Sequence, residues 1–220
     1  MRILILTTAT LLLVLSGCGN RTQEQLGDAD VLYERAKRAS DNGNYRDATA
    51  YYEALEARFP FTNAARQGQL DLMYAYYKNR EPEAAIDQAD QFIGENPAHP
   101  RVDYAYYIKG LVHFERDPNF LERWFRADLS QRPPSDARSS FQSLQTLVQR
   151  FPNSEYAEDA RQRMVFLRNR LASYEVYVAE YYLQRGAYVG ALNRAPYAVE
   201  NYDGAPQNRR ALLVVGDWYE

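Results

Sequence analysis

Residues 43–62, with the sequence GNYRDATAYYEALEARFPFT, decide the fold of this chain. Gly43 permits a tight turn between two helices, because glycine enters backbone conformations that other residues avoid. Ala48 lets the two helices approach closely, and Tyr45 and Tyr52 fill the gap against the next helix. Pro60 ends the pair, because a proline ring cannot continue the helical hydrogen-bond ladder. The stretch therefore predicts two antiparallel helices joined at Gly43.

The same pattern returns along the chain. Arg58-Phe59-Pro60-Phe61-Thr62 is matched by Arg-Phe-Pro-Asn-Ser at residues 150–154, and Glu95-Asn96-Pro97 lies between them. This order of glycine, aromatic, alanine and proline residues resembles the tetratricopeptide repeat, a pair of helices that stacks on its neighbours. We predict an all-α tetratricopeptide-repeat α-solenoid over residues 28–220. Its units begin near Asp28, Asn63, Arg101, Ser154 and Pro206, with internal turns at Gly43, Lys78–Pro82 and Gly186 in the first, second and fourth.

The fifth of these units has only its first helix before Glu220. That helix would leave Leu212, Leu213 and Val215 without a partner helix, whereas repeat arrays normally end in a polar cap. We therefore predict about five helix pairs with the last one incomplete, and we expect the natural protein to continue beyond Glu220.

The first 17 residues have the features of an export signal. Arg2 is followed by an apolar run from Ile3 to Leu15. This run is shorter than the roughly 20 residues that span a bilayer, and it fits the apolar core of a secretory signal. Leu15-Ser16-Gly17-Cys18 resembles the lipobox of bacterial lipoproteins. We predict cleavage before Cys18 and acylation of its thiol.

Cys18 is the only cysteine of the chain. Two or three acyl chains on it would anchor the protein stably, because each buried methylene contributes about 0.8 kcal/mol. Gly19 stands where lipoproteins retained at the inner membrane typically carry aspartate, which indicates sorting to the outer membrane. The polar residues 18–27 are predicted to be a lipid-anchored tether. The protein is expected on the periplasmic face of the outer membrane.

Composition argues against several classes of function. The formal net charge is −3 and no Lys/Arg-rich block occurs, so a nucleic-acid partner is not expected. A single cysteine cannot form an internal disulfide or, alone, a zinc site. His99 lies between prolines, His113 has apolar helical neighbours, and no catalytic or nucleotide-binding motif is present. We predict no enzymatic activity, no metal and no cofactor.

The segment between Phe114 and Pro134 interrupts the repeat pattern. It holds Phe120, Leu121, Trp124 and Phe125 among many charges, at a spacing that predicts one short amphipathic helix in a long loop. A long loop inside a compact array is often functional. The alternative is that its aromatic residues simply pack on the array.

Together, the lipobox, the repeat order and the interrupted third unit resemble the BamD family, lipoproteins of the outer-membrane β-barrel assembly (BAM) machine. The resemblance covers nearly the whole mature chain. It rests on Arg58–Phe61, Gln69–Lys78, Asn96–Pro100 with Asp103-Tyr104, Asp136–Arg138, Arg150–Ser154 and Val178–Tyr182.

The resemblance implies a scaffold for the assembly and insertion of β-barrel proteins into the outer membrane. In that family, N-terminal repeats are associated with the C-terminal signal of unfolded outer-membrane proteins. C-terminal repeats dock the periplasmic domains of the barrel subunit BamA and other BAM lipoproteins. Carried over by position, the corner at 59–62, with Phe61 and Thr62, falls on the substrate side, and Asn193 and Arg194 fall on the BamA side. Tyr202-Asp203-Gly204 departs from the expected aromatic-Pro stop.

The chemistry of the ligand suggests which side chains bind it. An unfolded barrel strand ends in an aromatic residue and a carboxylate, which favour an apolar pocket and cationic donors. Arg58 and Arg66 are candidate donors, since arginine binds carboxylates through two hydrogen bonds. Arg194 is predicted to meet an acidic patch on its partner. Repeat aromatics are also commonly core residues, and surface arginines are commonly solvated. The aromatic candidates are Phe59, Phe61, Tyr51 and Tyr52.

One alternative function stays open at this point. A different periplasmic tetratricopeptide-repeat lipoprotein, such as a cell-division or peptidoglycan-associated adaptor, would share the anchor and the repeats. The interrupting segment discriminates the two, because a generic adaptor has no reason to carry it.

Overall fold

The fold was described from a computed structural model, which covers residues 18–116 and 133–216 and is all-helical over them, so the predicted fold class is confirmed. Over the described ranges the helices follow the predicted units, two to each of the first four and one in the fifth. They are α1 Cys18–Asp41, α2 Tyr45–Arg58, α3 Asn63–Lys78, α4 Pro82–Glu95, α5 Val102–Arg116, α6 Ser135–Arg150, α7 Ala157–Gln184, α8 Tyr188–Asn201 and α9 Asn208–Gly216.

The chain divides into two compact units, residues 1–88 and 89–220, and the division falls within α4. In the first unit, α1 packs on α2, α2 packs on α3, and α3 also contacts α1. In the second unit, α5 packs on α6, α6 on α7, and α7 on α8, while α9 contacts both α7 and α8. Within each unit these helices therefore pack on their neighbours in the chain, as the helix pairs of a repeat array do.

The turn predicted at Gly43 is present. Helix α1 ends at Asp41, and Gly43 has a φ of 76°, in the left-handed region that glycine enters without strain. The side chain of Asn44 then caps α2 by accepting a hydrogen bond from the Asp47 N–H at 3.3 Å. Ala48 is completely buried, in agreement with its predicted role in close helix packing.

Two glycines inside helices let neighbouring helices approach closely. A Cβ atom at Gly68 of α3 would lie 3.0 Å from Leu55 Cδ2 of α2. At Gly110 of α5 it would lie 2.5 Å from Leu144 Cδ2 of α6. Ser140 of α6 uses that close approach, since its Oγ donates to the Gly110 carbonyl at 2.8 Å. Both glycines are therefore required by packing rather than by backbone conformation.

Three helices end on an aromatic residue in nearly the same backbone conformation. Phe59 has φ −135° and ψ 47°, Phe151 has −131° and 62°, and Tyr202 has −127° and 49°. Each N–H donates to the carbonyl four residues earlier. The fourth unit therefore ends as the first and third do, although no proline directly follows Tyr202. Gly204, with a φ of 72°, turns the chain there instead.

Several sequence-based predictions concern residues that the structure does not describe. The export signal at 1–17 lies outside the described residues, as do Phe120, Leu121, Trp124 and Phe125. Residues 18–27, predicted to be the tether, form the first part of α1, and their role as a tether stays a prediction. In the part of the chain that is described, no helix combines the length and the apolar character needed to cross a membrane.

Candidate functional site

The first predicted site is the corner between α2 and α3, residues 58–62, called corner one below. Thr62 has a structural task in it. Its Oγ1 accepts a hydrogen bond from the Ala65 N–H at 3.1 Å, which caps α3, and donates to the Phe59 carbonyl at 2.9 Å. Both hydrogen-bonding directions of this hydroxyl are occupied within the corner. Thr62 therefore shapes corner one rather than offering a free hydroxyl.

Corner one exposes a phenyl ring. Phe61 is 96% exposed, more than any other large apolar residue of the described chain. Phe59 is half-buried and packs against the core of the first unit. The guanidinium of Arg58 lies over the Phe59 ring, 5.6 Å from its centroid, in a cation–π contact. Corner one therefore contains an exposed aromatic ring, that of Phe61, and a cation, Arg58, whose guanidinium lies over the ring of Phe59.

The two candidate cations of corner one are both exposed. Arg66 Nη2 donates to the Asn63 side-chain oxygen at 2.5 Å, a local contact within α3. Within the described residues, no carboxylate forms an ion pair with Arg58 or Arg66. An incoming carboxylate would therefore not have to displace an anion of the chain.

One aromatic candidate was assigned wrongly. Tyr52 is only 2% exposed, and its ring lies 6.1 Å from that of Tyr33, inside the core formed by α1, α2 and α3. It cannot line an open pocket, because its side chain fills the gap between helices. Tyr51, one residue earlier on α2, points about 100° away around the helix and is 37% exposed.

The second predicted site lies around Arg194 on α8. The sequence predicted that Arg194 meets an acidic patch on a partner, but in the structure it already contacts an acidic residue of its own chain. Arg194 Nη1 donates to Glu175 Oε2 on α7 at 2.9 Å. This hydrogen bond raises the pKa of Arg194, against the opposing effect of burial. Arg194 is therefore held by an acidic residue of its own chain. Its neighbour Asn193 is exposed.

Arg138 of α6 also contacts Glu175, and the sequence analysis did not identify it as a site residue. Its Nη2 donates to Glu175 Oε1 at 3.3 Å, so the two oxygens of one carboxylate each accept from a different arginine. The Glu175 side chain is 1% exposed, while those of Arg138 and Arg194 are 53% and 43% exposed. We call these three residues the arginine–glutamate cluster. It joins helices α6, α7 and α8.

A sequence signal for this cluster existed. Glu175 lies among Leu171, Ala172, Val176 and Ala179, at the spacing of the buried face of α7. A charged residue on such a stripe is almost never buried without a partner. The apolar stripe therefore predicts a cation next to Glu175. It does not identify that cation, because Arg138 and Arg194 lie 37 and 19 residues away in the sequence.

The two histidines make local contacts. His99 Nδ1 accepts from the Arg101 N–H at 3.1 Å, and its ring meets that of Phe92 edge-on at 5.2 Å. His113 Nδ1 lies 3.0 Å from Asp136 Oδ1. Over the ranges that the structure describes, no group of three or more His, Cys, Asp or Glu side chains is arranged to hold a metal ion.

Comparison with known protein families gives one match across most of the chain. The YfiO family, described as an outer membrane lipoprotein family, matches residues 26–220. The match includes every described helix from α2 onwards and both predicted sites.

Curated relatives are similar over nearly the same length. A protein from Neisseria gonorrhoeae named outer membrane protein assembly factor BamD is 40% identical, over 96% of this chain and 82% of that protein. The protein of the same name from Vibrio cholerae is 38% identical, over 86% and 78%. The one from Xylella fastidiosa is 34% identical, over 99% and 75%.

Proposed function

This chain belongs to the YfiO family of outer membrane lipoproteins, and from that premise we propose that it is a non-enzymatic assembly factor for β-barrel proteins of the outer membrane. The observation that carries the proposal is the similarity to proteins named BamD over at least 86% of the chain in the three relatives described above. An array of helix pairs suits this role, because it presents long surfaces to other polypeptides.

The mode of attachment is part of the proposal. Acylated Cys18, as the first residue of the mature chain, would hold the repeats at the periplasmic face of the outer membrane. The sequence Leu15-Ser16-Gly17-Cys18, which resembles a lipobox, and the family of outer membrane lipoproteins support this reading. Partners of this chain in the BAM complex would therefore be met at the membrane surface.

Corner one is proposed to bind the C-terminal signal of unfolded outer-membrane proteins. Exposed Phe61 offers an aromatic surface, and Arg58 and Arg66 offer two guanidiniums without an ion-pair partner in the described chain. A chain end that carries an aromatic side chain and a carboxylate matches both features.

The surface around Asn193 and Arg194 is proposed to dock BamA. The half-exposed guanidinium of Arg194 is fixed at one nitrogen by Glu175 and has further N–H donors for a partner. A fixed, partly desolvated arginine suits recognition of an acidic side chain better than a freely rotating one. Docking of other BAM lipoproteins on the C-terminal repeats is the remaining part of this proposal.

A different periplasmic adaptor role is not favoured, because the relatives described above are named assembly factors for outer membrane proteins. We also propose that the chain acts without catalysis, metal or cofactor and without a nucleic-acid partner. Its charges lie in helix faces and ion pairs, and its formal net charge is −3.

Co-purification tests this function. The native lipoprotein, extracted in mild detergent, is expected to bring a barrel-forming membrane protein with it. Arg194→Gln is expected to reduce that yield about tenfold, because it removes the charge but preserves a hydrogen-bonding side chain beside Glu175. Glutamate at 194 is a poorer choice, since it would place two carboxylates together at a buried site.

The matched control is Arg161→Gln, which removes an arginine of similar exposure, 45%, that pairs with Glu158. It is expected to leave the yield unchanged. Cys18→Ala is expected to release the protein from membranes. Isolation of the wild-type lipoprotein without any barrel-forming protein would overturn the proposed function.

A further inference from the structure

We propose that Arg138 and Arg194 form a two-guanidinium clamp that binds one acidic side chain of the docking partner, and that Glu175 is the positioning residue of this clamp. The inference rests on the proposed docking of a partner at Arg194. It adds a second binding residue from another repeat, Arg138, and a positioning residue beneath both arginines, Glu175.

The buried carboxylate is the starting point of the argument. Glu175 is 1% exposed, and an ionised carboxylate at such a position is strongly unfavourable unless it is paired. Both of its oxygens are paired, Oε1 with Arg138 and Oε2 with Arg194. The two guanidiniums are therefore held to a common point on the surface of α6, α7 and α8.

The cluster is not electrically neutral. Two arginines and one glutamate leave a local charge of +1, and no second carboxylate of the described residues forms an ion pair with either arginine. Burial raises the pKa of the neighbouring Tyr202 to about 12, so its phenol is uncharged at neutral pH. An additional carboxylate would complete the charge balance of the cluster.

The arginines also keep donors available for that carboxylate. Each guanidinium has five N–H groups, and one nitrogen of each contacts Glu175. About half of each arginine side chain is exposed, so the remaining donors face solvent. A carboxylate placed over the cluster can accept from both arginines, as Glu175 does from the opposite side.

Glu175 lowers the cost of forming this contact. A free arginine side chain loses rotamer entropy when it is fixed in one conformation. Contact with Glu175 restricts both arginines before the partner arrives, so less entropy is lost on binding. Because Arg138 and Arg194 come from successive repeats, the clamp exists only where α6, α7 and α8 are packed together.

The experiment uses the full-length lipidated chain in detergent, titrated by calorimetry with purified periplasmic domains of BamA. Arg138→Gln is expected to raise the Kd about tenfold, as is Arg194→Gln. Their combination is expected to raise the Kd by less than the product of the two single effects, because both residues bind one ligand. The matched control Arg161→Gln, which removes a positive charge outside the cluster, is expected to change the Kd less than about twofold.

A second variant separates binding from folding. Arg138→Gln with Glu175→Gln leaves no uncompensated buried charge and preserves the local charge of +1, but it removes one arm of the clamp and its positioning residue. It is expected to fold and to bind more than tenfold more weakly than wild type, and more weakly than Arg138→Gln alone, because Arg194 then also lacks its positioning residue.

The outcomes distinguish the two proposals. If wild-type protein binds the BamA domains and Arg138→Gln with Glu175→Gln binds equally well, the cluster is only structural and the clamp is refuted while docking stands. If wild-type protein does not bind these domains, the docking proposal fails and the clamp fails with it.

Discussion

Corner one at residues 58–62 and its counterpart at 150–154, called corner two, have related sequences and nearly identical backbones but different surroundings. Both begin Arg-Phe-Pro, and the two phenylalanines that end their helices differ by 4° in φ and 15° in ψ. The fourth residue of corner one is Phe61, which is 96% exposed, whereas the fourth residue of corner two is Asn153. The comparison shows that the turn sequence determines the backbone conformation of a corner, whereas the neighbouring residues determine its contacts.

Corner two is bound to the helix of the preceding pair, α5. The Arg150 guanidinium lies 5.4 Å from the Phe151 ring centroid and 5.7 Å from that of Tyr106, and it donates to the Tyr106 hydroxyl at 3.0 Å. Ser154 Oγ donates to Asp103 at 2.6 Å. At corner one, Arg58 stacks on its own neighbour Phe59, and Thr62 bonds within the corner.

The two corners also differ in the residue at the start of the helix that follows, α7 after corner two and α3 after corner one. At corner two this is Tyr156, whose ring stacks on Tyr107 at 4.6 Å and whose hydroxyl accepts from Arg101 at 2.8 Å. In the same register corner one has Ala64. The two corners match residue by residue in burial class, so the difference lies in their contacts. Corner two is tied to α5 by ring contacts and hydrogen bonds, and we call it a closed joint, whereas the polar and cation–π contacts of corner one stay local.

The largest effect is expected from opening corner two. Tyr156→Ala gives it the residue that corner one has, and removes the stacking on Tyr107 and the hydrogen bond from Arg101. We expect the free energy of unfolding to fall by about 2–3 kcal/mol, a Tm decrease of about 2–4 °C for each kcal/mol. Thermal unfolding followed by circular dichroism measures it.

The matched control is Tyr188→Ala, since Tyr188 is 52% exposed at the start of α8. Its effect is expected to stay within about 0.5 kcal/mol. If Tyr156→Ala were no more damaging than this control, the description of corner two as a closed joint would be wrong.

A smaller effect is expected from removing the open surface of corner one. Phe61→Ala should weaken binding of a peptide that ends in an aromatic residue and a free carboxylate about tenfold, roughly 1.4 kcal/mol. Fluorescence anisotropy of the labelled peptide measures the Kd. Arg58→Glu with Arg66→Glu should abolish the preference for a free carboxylate over an amidated end.

Asn153→Ala provides the matched control for this experiment, because it alters the same position of corner two. It is expected to leave peptide affinity unchanged, and both variants should unfold at the wild-type temperature. Equal affinity of wild type, Phe61→Ala and the double charge reversal would exclude corner one as the signal site.

Local sequence was sufficient to predict most of the fold. Gly43, Gly186 and the prolines act on the backbone within a few residues, so the turns and helix ends appeared where their chemistry requires them. The exception, Tyr202-Asp203-Gly204, was expected to end its unit differently. An aromatic residue proved sufficient to end the helix in the same conformation without proline.

Long-range contacts could not be predicted in the same way. The sequence singled out Arg194, but its partner Glu175 and the second cation Arg138 come from other helices, and no local rule pairs them. The repeat pattern predicted that Tyr52 fills the gap between helices, which its burial confirms, and its second assignment, to an open pocket, was wrong. The two corners differ because their contacts depend on residues distant in sequence.

The smallest expected effect concerns pH and a charge that corner two has and corner one lacks. Asp159 accepts hydrogen bonds from Tyr107 at 2.8 Å and from Arg163 at 2.5 Å, whereas the residue in its register at corner one is the neutral Gln67. Burial alone would raise the pKa of Asp159, but these two hydrogen bonds outweigh burial and the pKa lies below its ordinary value of 3.8.

Because the folded-state pKa is depressed, Asp159 stabilises the fold above pH 3.8, and this contribution is lost as the pH falls through the folded-state value. Its side chain is 44% exposed, so solvent screening limits the effect to about 0.5 kcal/mol. Urea unfolding at pH 7 should find Asp159→Asn less stable than wild type by this amount, and the difference should vanish near pH 2. Asp203→Asn, at an exposed position, should show no such difference. A deficit of Asp159→Asn that persisted unchanged in acid would mean that shape rather than charge holds Tyr107 and Arg163, and corner two would then owe its closure to aromatic packing alone.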